Sequence, residues 1–580
     1  MLTVMVDFET FFDPKGHYSL KDMPVQQYLR DGRFKCLGCS VSVNGGPVKW
    51  LDGHEKCKEF FNLLSTVPDV LLVAHNCNFD GALAYEIFGF RPAKFCCTMF
   101  MARYMIAQGL LPPEIGVALK DIAAFVDNEK LHLDEALEEG TLDTYAIRDC
   151  EICRDFYYKF KDIVPADEMD YIDMHVQMSA IPKFVLNKGL LEGVVATEET
   201  RVALYPKVRK DDFLVAAFNK LGVQVEYKTT AKGNKKAAFS KTDDFMKKLL
   251  QHPDKKVSEL AKLRLEAYST CERSKAGRIL DVGSPFACPL IYYAAHTGRT
   301  GGSDKLNMQN IPRGSVVRVS LCAPEGHKLV IIDSSQIEVR MLAFLAGEQK
   351  LLDAFHNQVD PYKLFASTEL FHKPIEEITK SERQTAKPAV LACGYGQSGN
   401  GLAAYAKRMG IELSLEIADQ CVRAYRAAYP AITGGLNKSR DGFWQRCEYF
   451  VKDNGYLQLP SGRRMTYPDL RVEQGELVFT KPKIFMRDVS TNRVYGSLLV
   501  ENATQAAARD LVFWQVVQIL KRCPTAQIAL AVHDEAVFVV PEDDAEECLK
   551  LAEEAFKSAP HWATGIPVQG EGHISDCYDK

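Results

Sequence analysis

The sequence predicts a multidomain protein of mixed α/β and α+β class, and three observations carry that expectation. Its 580 residues exceed what one core supports, so at roughly 100–200 residues per domain the chain divides into about three to five. Short apolar strands followed by helical patterns fill residues 1–160, the signature of a compact α/β domain. Isolated apolar strands among long helical stretches mark the region after residue 327. The composition, 47% hydrophobic and 25% charged, excludes disordered, collagenous and repeat-dominated chains. A net charge of −5 removes a global positive field as grounds for nucleic-acid binding, so any such argument must be local.

Taken in order, TVMVDFET, KCLGCSVSVNG and DVLLVAHN read as strands and YAIRDCEICRDFYYKF as a helix. Residues 165–290 turn mostly helical, and residues 201–256 carry 14 Lys/Arg against 6 Asp/Glu, a local +8. That stretch is either a phosphate-binding module or a solvated lysine-rich face. HKLVIID is a strand, GYLQLPSGRRMTYP a hairpin-like stretch, ENATQAAARDLVFWQVVQIL a helix, and IALAV and AVFVV two strands joined by His533, Asp534 and Glu535. No apolar run approaches the roughly 18 residues of a membrane span, and the N-terminus puts acids where a secretory signal needs basic residues. A soluble, cytoplasmic protein with reduced thiols is expected from this and from 17 dilute cysteines. The pairs Cys36/Cys39 and Cys150/Cys153 have zinc-ligand spacing, though over a hundred residues separate them.

Two sets of acids carry the chemistry. Asp7 and Glu9 stand two apart at the end of a strand, so both carboxylates project from one face and repel unless a cation neutralises them. Asp80 follows another apolar strand with Asn76 four residues before it, and Tyr145 and Asp149 sit four apart on one helical face. In the second set, HKLVIID ends on Asp333, and a distant hairpin tip carries Asp534 and Glu535. Arg383, Lys387, Leu391 and Tyr395 recur every four residues on a slowly spiralling helical face, cations at one end and an aromatic ring at the other, a layout suited to a nucleotide. GYGQSG fits G-x-G-x-x-G, but a helical pattern precedes it, so helix termination and a turn account for it better than a dinucleotide fold. Pro388 inside the same stretch predicts that the helix starts just before it or kinks there.

In this order D-x-E, N-x-x-F-D and Y-x-x-x-D resemble the Tyr-containing DEDD exonucleases. DSSQIEVR, RQTAKPAVLACGYG and VHDE resemble motifs A, B and C of family A DNA polymerases, and TGRTGGSDKLNMQNIP the segment joining thumb to palm. The resemblance implies an RNase H-like 3′–5′ exonuclease domain over 1–163, a thumb and connecting region over 164–293, palm over 294–345 and 495–580, and fingers over 346–494. It implies two Mg²⁺ or Mn²⁺ ions per active site, held by Asp7, Glu9, Asp80 and Asp149 in the first and by Asp333, Asp534 and the Ser334 carbonyl in the second, with Glu535 nearby. Tyr145 would orient the attacking water and Glu338 would crowd a ribose 2′-hydroxyl. Arg383 and Lys387 would grip the triphosphate, while Tyr395 and Gly396 would border the templating base. Arg299, Gln309, Gln336, Gln505 and His533 would contact DNA or nucleotide. Leu391 stands where the family usually has Phe or Tyr, and Ser334 and Tyr362 replace Tyr and His, a phage-like pattern. With its first motif at residue 7, the chain is expected to lack a 5′-nuclease domain. The partners implied are primer-template DNA and dNTPs, with no membrane and a monomeric chain; no processivity factor, helicase or single-strand-binding partner is legible. The rival reading is a stand-alone 3′–5′ exonuclease with a degenerate polymerase-like binding module.

Overall fold

The computed structural model describes residues 1–204, 207–208, 210–229, 234–240, 243–268, 271–304, 306–437, 439–485 and 491–579. These form two compact units. The larger comprises Met1–Lys183, Ala287–Asn310 and Ala323–Asp576, the smaller Phe184–Phe286, Ile311–Cys322 and Cys577–Lys580.

The larger unit contains two principal sheets. The first has strands β1 (Leu2–Thr10), β2 (Cys36–Val43), β3 (Lys49–Asp52), β4 (Val70–Ala74) and β5 (Lys94–Cys97), in the order β3-β2-β1-β4-β5. Alternation in LTVMVDFET is the cause of the central strand's placement: Val4, Val6 and Phe8 are buried, while Asp7 and Glu9 keep partial access to solvent. β1 pairs antiparallel with β2 and parallel with β4, which returns by way of the Gly53–Leu64 helix. The Cys77–Glu86, Thr98–Ala107 and Leu142–Phe160 helices bury their apolar faces in one core with this sheet.

The second sheet has β6 (His327–Ser334), β7 (Gln527–Val532), β8 (Glu535–Pro541) and β9 (Gly570–Ser575), all antiparallel, in the order β7-β8-β6-β9. The Ala545–Phe556 helix packs on this sheet, and the buried Gly496–Arg522 helix packs against that helix. Helices from Ile337 to Asn454 and the Tyr456–Gln458/Arg464–Thr466 hairpin share a third core, which includes Phe365, Tyr425 and Tyr429.

The Ala166–Ala180 helix, expected in a thumb and connecting region, lies in the larger unit because it packs on both β5 and β7. A buried ionic network fixes it there. Arg509 makes a bidentate pair with Glu168 at 2.6 and 2.9 Å, and Arg463 pairs with Asp510 at 3.0 Å and donates to the Tyr293 hydroxyl at 2.6 Å.

The smaller unit holds most of the basic 201–256 stretch, although Arg209, Lys232 and Lys241 lie outside the described residues. Helices Asp211–Lys220 and Asp244–Leu250 build a small core around Leu214, Phe218, Phe239 and Met246. Several lysines there are tied to acids, Lys228 to Asp243 at 2.7 Å and Lys248 to Glu226 at 3.0 Å. Contrary to the expectation of uniformly reduced thiols, Cys322 and Cys577 form a disulfide within this unit. The pairs Cys36/Cys39 and Cys150/Cys153 are buried free thiols. Among the described residues no helix is long and apolar enough to cross a membrane.

Candidate active sites

At the first sheet, β1 delivers Asp7 and Glu9 from one face. Asn76 adopts a left-handed conformation (φ 64°) that turns β4 into the Cys77–Glu86 helix, placing Asp80 in its first turn. The Asp80 Oδ1 accepts the Phe8 backbone N–H at 3.2 Å, which locks that helix onto β1 between the two strand acids. Tyr145 and Asp149, one turn apart on the Leu142–Phe160 helix, complete the group. Burial is the main force raising all four carboxyls. Their mutual charges add to it for three: Glu9 and Asp149 act on Asp7, Asp149 on Glu9, and Asp7 on Asp80. Glu9 is pushed up to about 8. The structure therefore brings together the five residues that the sequence singled out.

It also adds one that the sequence did not: Lys130, from the loop before the Leu133–Glu139 helix. Its Nζ donates to the Tyr145 hydroxyl at 2.8 Å, also bonds Asp149 Oδ2, and lies 4.4 Å from the Tyr145 ring centre. A lone lysine in the polar stretch DNEKLHLD carries no sequence signal. Asp149 is 5% exposed, and its Oδ1 has no partner. Among the described residues no three such groups stand as close together as a metal ion's ligands. The donor chemistry nonetheless suits a hard divalent cation: four mutually repelling carboxylates, one with a buried oxygen left over.

The second site is built by strand register. Asp333, near the end of β6, lies directly across from Glu535 on β8 and from Glu571 on β9. Like charges so paired destabilise a sheet unless neutralised. The Ser334 N–H donates to the Asp534 carbonyl at 2.8 Å, so the two acids that the sequence separates by two hundred residues are neighbours. The hairpin tip is His533 and Asp534, with His533 left-handed at φ 56°, and Glu535 already belongs to β8. Burial first, then the charge of Asp333, raises the Asp534 carboxyl to about 6.

Arg299, Ile337, Glu338, His533 and Asp534 line a cavity of about 280 Å³. Arg299 bonds Glu338 at 2.5 Å, and Gln336 (φ 56°) starts the Ile337–Ala346 helix that carries Glu338. Burial first, then the charges of Glu338 and Glu501, raises the Tyr395 phenol's pKa, so Tyr395, in the turn that follows the Lys380–Ala392 helix, lies within electrostatic reach of Glu338. Gln505 donates to Glu501 at 3.2 Å, and Gln309 donates to the Thr300 carbonyl at 2.6 Å.

Arg383 and Lys387 gather around Tyr362, 5.0 and 5.9 Å from its ring centre, and Arg383 donates to Asp360 at 2.6 Å. The helix beneath them does not start just before Pro388, the first of the two outcomes that the sequence suggested beside a kink. It starts at Lys380, because Thr379 and Glu382 form a capping box, and it runs through the proline to Ala392. Leu391 is half-buried against the third core. Gly396 ends the segment at φ 81°, and a Cβ there would meet Ser497 Oγ at 2.1 Å. GYGQSG is accordingly a helix end and turn.

The family model for DNA polymerase family A matches residues 210–580. The chain belongs to DNA polymerase family A. This family A chain is 25% identical to the DNA polymerase of Bacillus phage SP02 over 688 aligned positions that cover all of both proteins. It is 31% identical to DNA polymerase I of Pseudomonas aeruginosa over 49% of its own length and 29% of the relative's, and 29% identical to the thermostable DNA polymerase I of Thermus aquaticus over 49% and 31%. Matches to those bacterial relatives thus cover about a third of their length. A similar solved structure is the POL domain of Pol1 from M. smegmatis in complex with DNA primer-template and dNTP, with TM-score 0.69 and 18% identity. That match covers 100% of this chain and 95% of the other, and it shows the shared fold.

Proposed function

We propose that this chain is a template-directed DNA polymerase that adds dNTPs to a primer 3′ end, and that its N-terminal sheet carries a 3′–5′ exonuclease that proofreads, in a phage-type replicative enzyme. The observation that carries the synthetic half is the register of β6 on β8, which sets Asp333 beside Asp534. Two Mg²⁺ or Mn²⁺ ions per site would neutralise the acids and activate the attacking oxygen. Asp333, Asp534 and the Ser334 carbonyl hold them for synthesis, with Glu535 alongside.

Around that centre, Glu338, steadied by Arg299, walls off the space that a ribose 2′-hydroxyl would need. Arg383 and Lys387 bind the triphosphate, with Tyr362 as the ring on which both cations rest. Tyr395 and Gly396 border the templating base, and Leu391 gives the incoming sugar an aliphatic contact. Arg299, Gln309, Gln336, Gln505 and His533 contact the duplex and primer end, where acceptors common to all base pairs let fit be checked without reading sequence.

In the first sheet, Asp7, Glu9, Asp80 and Asp149 hold the ions for hydrolysis, and Tyr145 orients the water. A mispaired end unstacks more readily, so it reaches this site more often than a paired one. The similarity of the whole chain to a phage polymerase and to a domain solved with primer-template and dNTP supports the reading. Incubated with primer-template, Mg²⁺ and dNTPs, the protein should extend the primer, and without dNTPs it should shorten it from the 3′ end. Shortening without extension would instead favour a stand-alone exonuclease.

A further inference from the structure

Lys130 belongs to none of the motifs, yet its ammonium acts on three of the four acids of the first site, Asp7, Glu9 and Asp149. It bonds Asp149 and the Tyr145 hydroxyl, packs on the Tyr145 ring, and lowers the proton affinity of Asp7 and Glu9 through its charge. One cation thus serves a carboxylate that a divalent ion would also need. The buried, unpartnered Oδ1 on the same carboxylate shows that the ammonium satisfies only part of the site.

We propose that Lys130 is a built-in counter-cation: it holds the acid cluster together before metal binds, and it must release Asp149 for a divalent ion to take its place. This rests on the exonuclease reading of that cluster. An ammonium and a divalent ion compete for one oxygen, so the lysine lowers metal affinity at this site while stabilising the metal-free fold. Because Lys130 comes from a loop, its departure leaves the strand and the two helices that carry the acids in place.

The test uses the full chain with Asp534→Asn, which weakens the second site, and measures Mn²⁺ binding by calorimetry and melting temperature with EDTA or Mn²⁺. Lys130→Met and Lys130→Gln should each bind Mn²⁺ about tenfold more tightly than the parent. Both should melt lower than the parent in EDTA and regain the loss with Mn²⁺, whereas Lys130→Arg should follow the parent in both readouts. Unchanged Mn²⁺ affinity in both neutral variants would overturn the proposal, as would loss of 3′ shortening at saturating Mn²⁺ with affinity unaltered. If one neutral variant fails to fold in EDTA but folds in Mn²⁺, that is the predicted behaviour in extreme form; failure of both to fold even in Mn²⁺ overturns it. Asp7→Ala in the otherwise unaltered chain separates the two readings: if it still shortens single-stranded DNA at the parent rate, the exonuclease reading falls. If shortening is lost but the Lys130 variants bind Mn²⁺ like the parent, only the counter-cation falls.

Discussion

Glu9 shows how far one residue's surroundings reach into behaviour. Burial and the Asp149 charge raise its carboxyl from 4.5 to about 8, so between those values the folded chain holds a proton that the unfolded chain has lost. Stability drawn from the protonated form is therefore fully present below about pH 4.5 and disappears as pH rises through about 8. In EDTA, Glu9→Gln should match the parent near pH 4.5 and exceed its unfolding free energy by about 1–3 kcal/mol at pH 8. Denaturant titrations at the two pH values check this, and equal stability at pH 8 contradicts it. Glu338 predicts a second change. Removing it opens the space beside Arg299, so Glu338→Ala should cut discrimination against ribonucleotides by about tenfold or more, read as the ratio of dNTP to rNTP incorporation. An unaltered ratio removes Glu338 from the gate. At this scale the sequence was highly legible for acids at the ends of apolar strands, because alternation fixes which face they share. Lys130 was illegible because its role depends on where a loop falls, which no local pattern encodes.

Among the elements, the Lys380–Ala392 helix shows local propensity overruled. Pro388 deprives the Gln384 carbonyl of its usual donor. The capping box at Thr379 and Glu382 and the burial of Ala386, Ala389 and Val390 nevertheless keep the segment helical. Reading Pro388 alone pointed to a late start or a kink, whereas the capping box, whose N-cap Thr379 lies nine residues upstream, marks the true start. At its other end, Gly396 has a backbone that L side chains rarely adopt, and it lies against Ser497. Gly396→Ala should cost about 1–3 kcal/mol of stability, and thermal melting without substrate would show it. An unchanged melting temperature would mean that the helix end can shift to make room. The hairpin carrying Asp534 was legible as two apolar runs about an acidic pair. Its two-residue turn at His533 and Asp534 was one position off, because Glu535 already pairs with Asp333.

For the molecule as a whole, the two principal sheets share one compact unit, and the Glu168–Arg509 and Arg463–Asp510 pairs are buried charges that join its parts. Partners as far apart in sequence as Glu168 and Arg509 leave no trace in composition or spacing, which is why the place of the Ala166–Ala180 helix in the larger unit was not legible. Arg509→Met should lower stability by about 3–5 kcal/mol by stranding Glu168, and adding Glu168→Leu should restore much of the loss. Equal stability of Arg509→Met and the parent would show the pair to be dispensable. On the proposed function the acid centre of the first sheet removes nucleotides and that of the second adds them, each without the other. The most direct measurement sets Asp7→Ala beside Asp534→Ala on one primer-template with Mg²⁺, following extension and 3′ shortening together. The first variant should extend without shortening and the second shorten without extending; loss of both activities in either folded variant would rule out two separable centres.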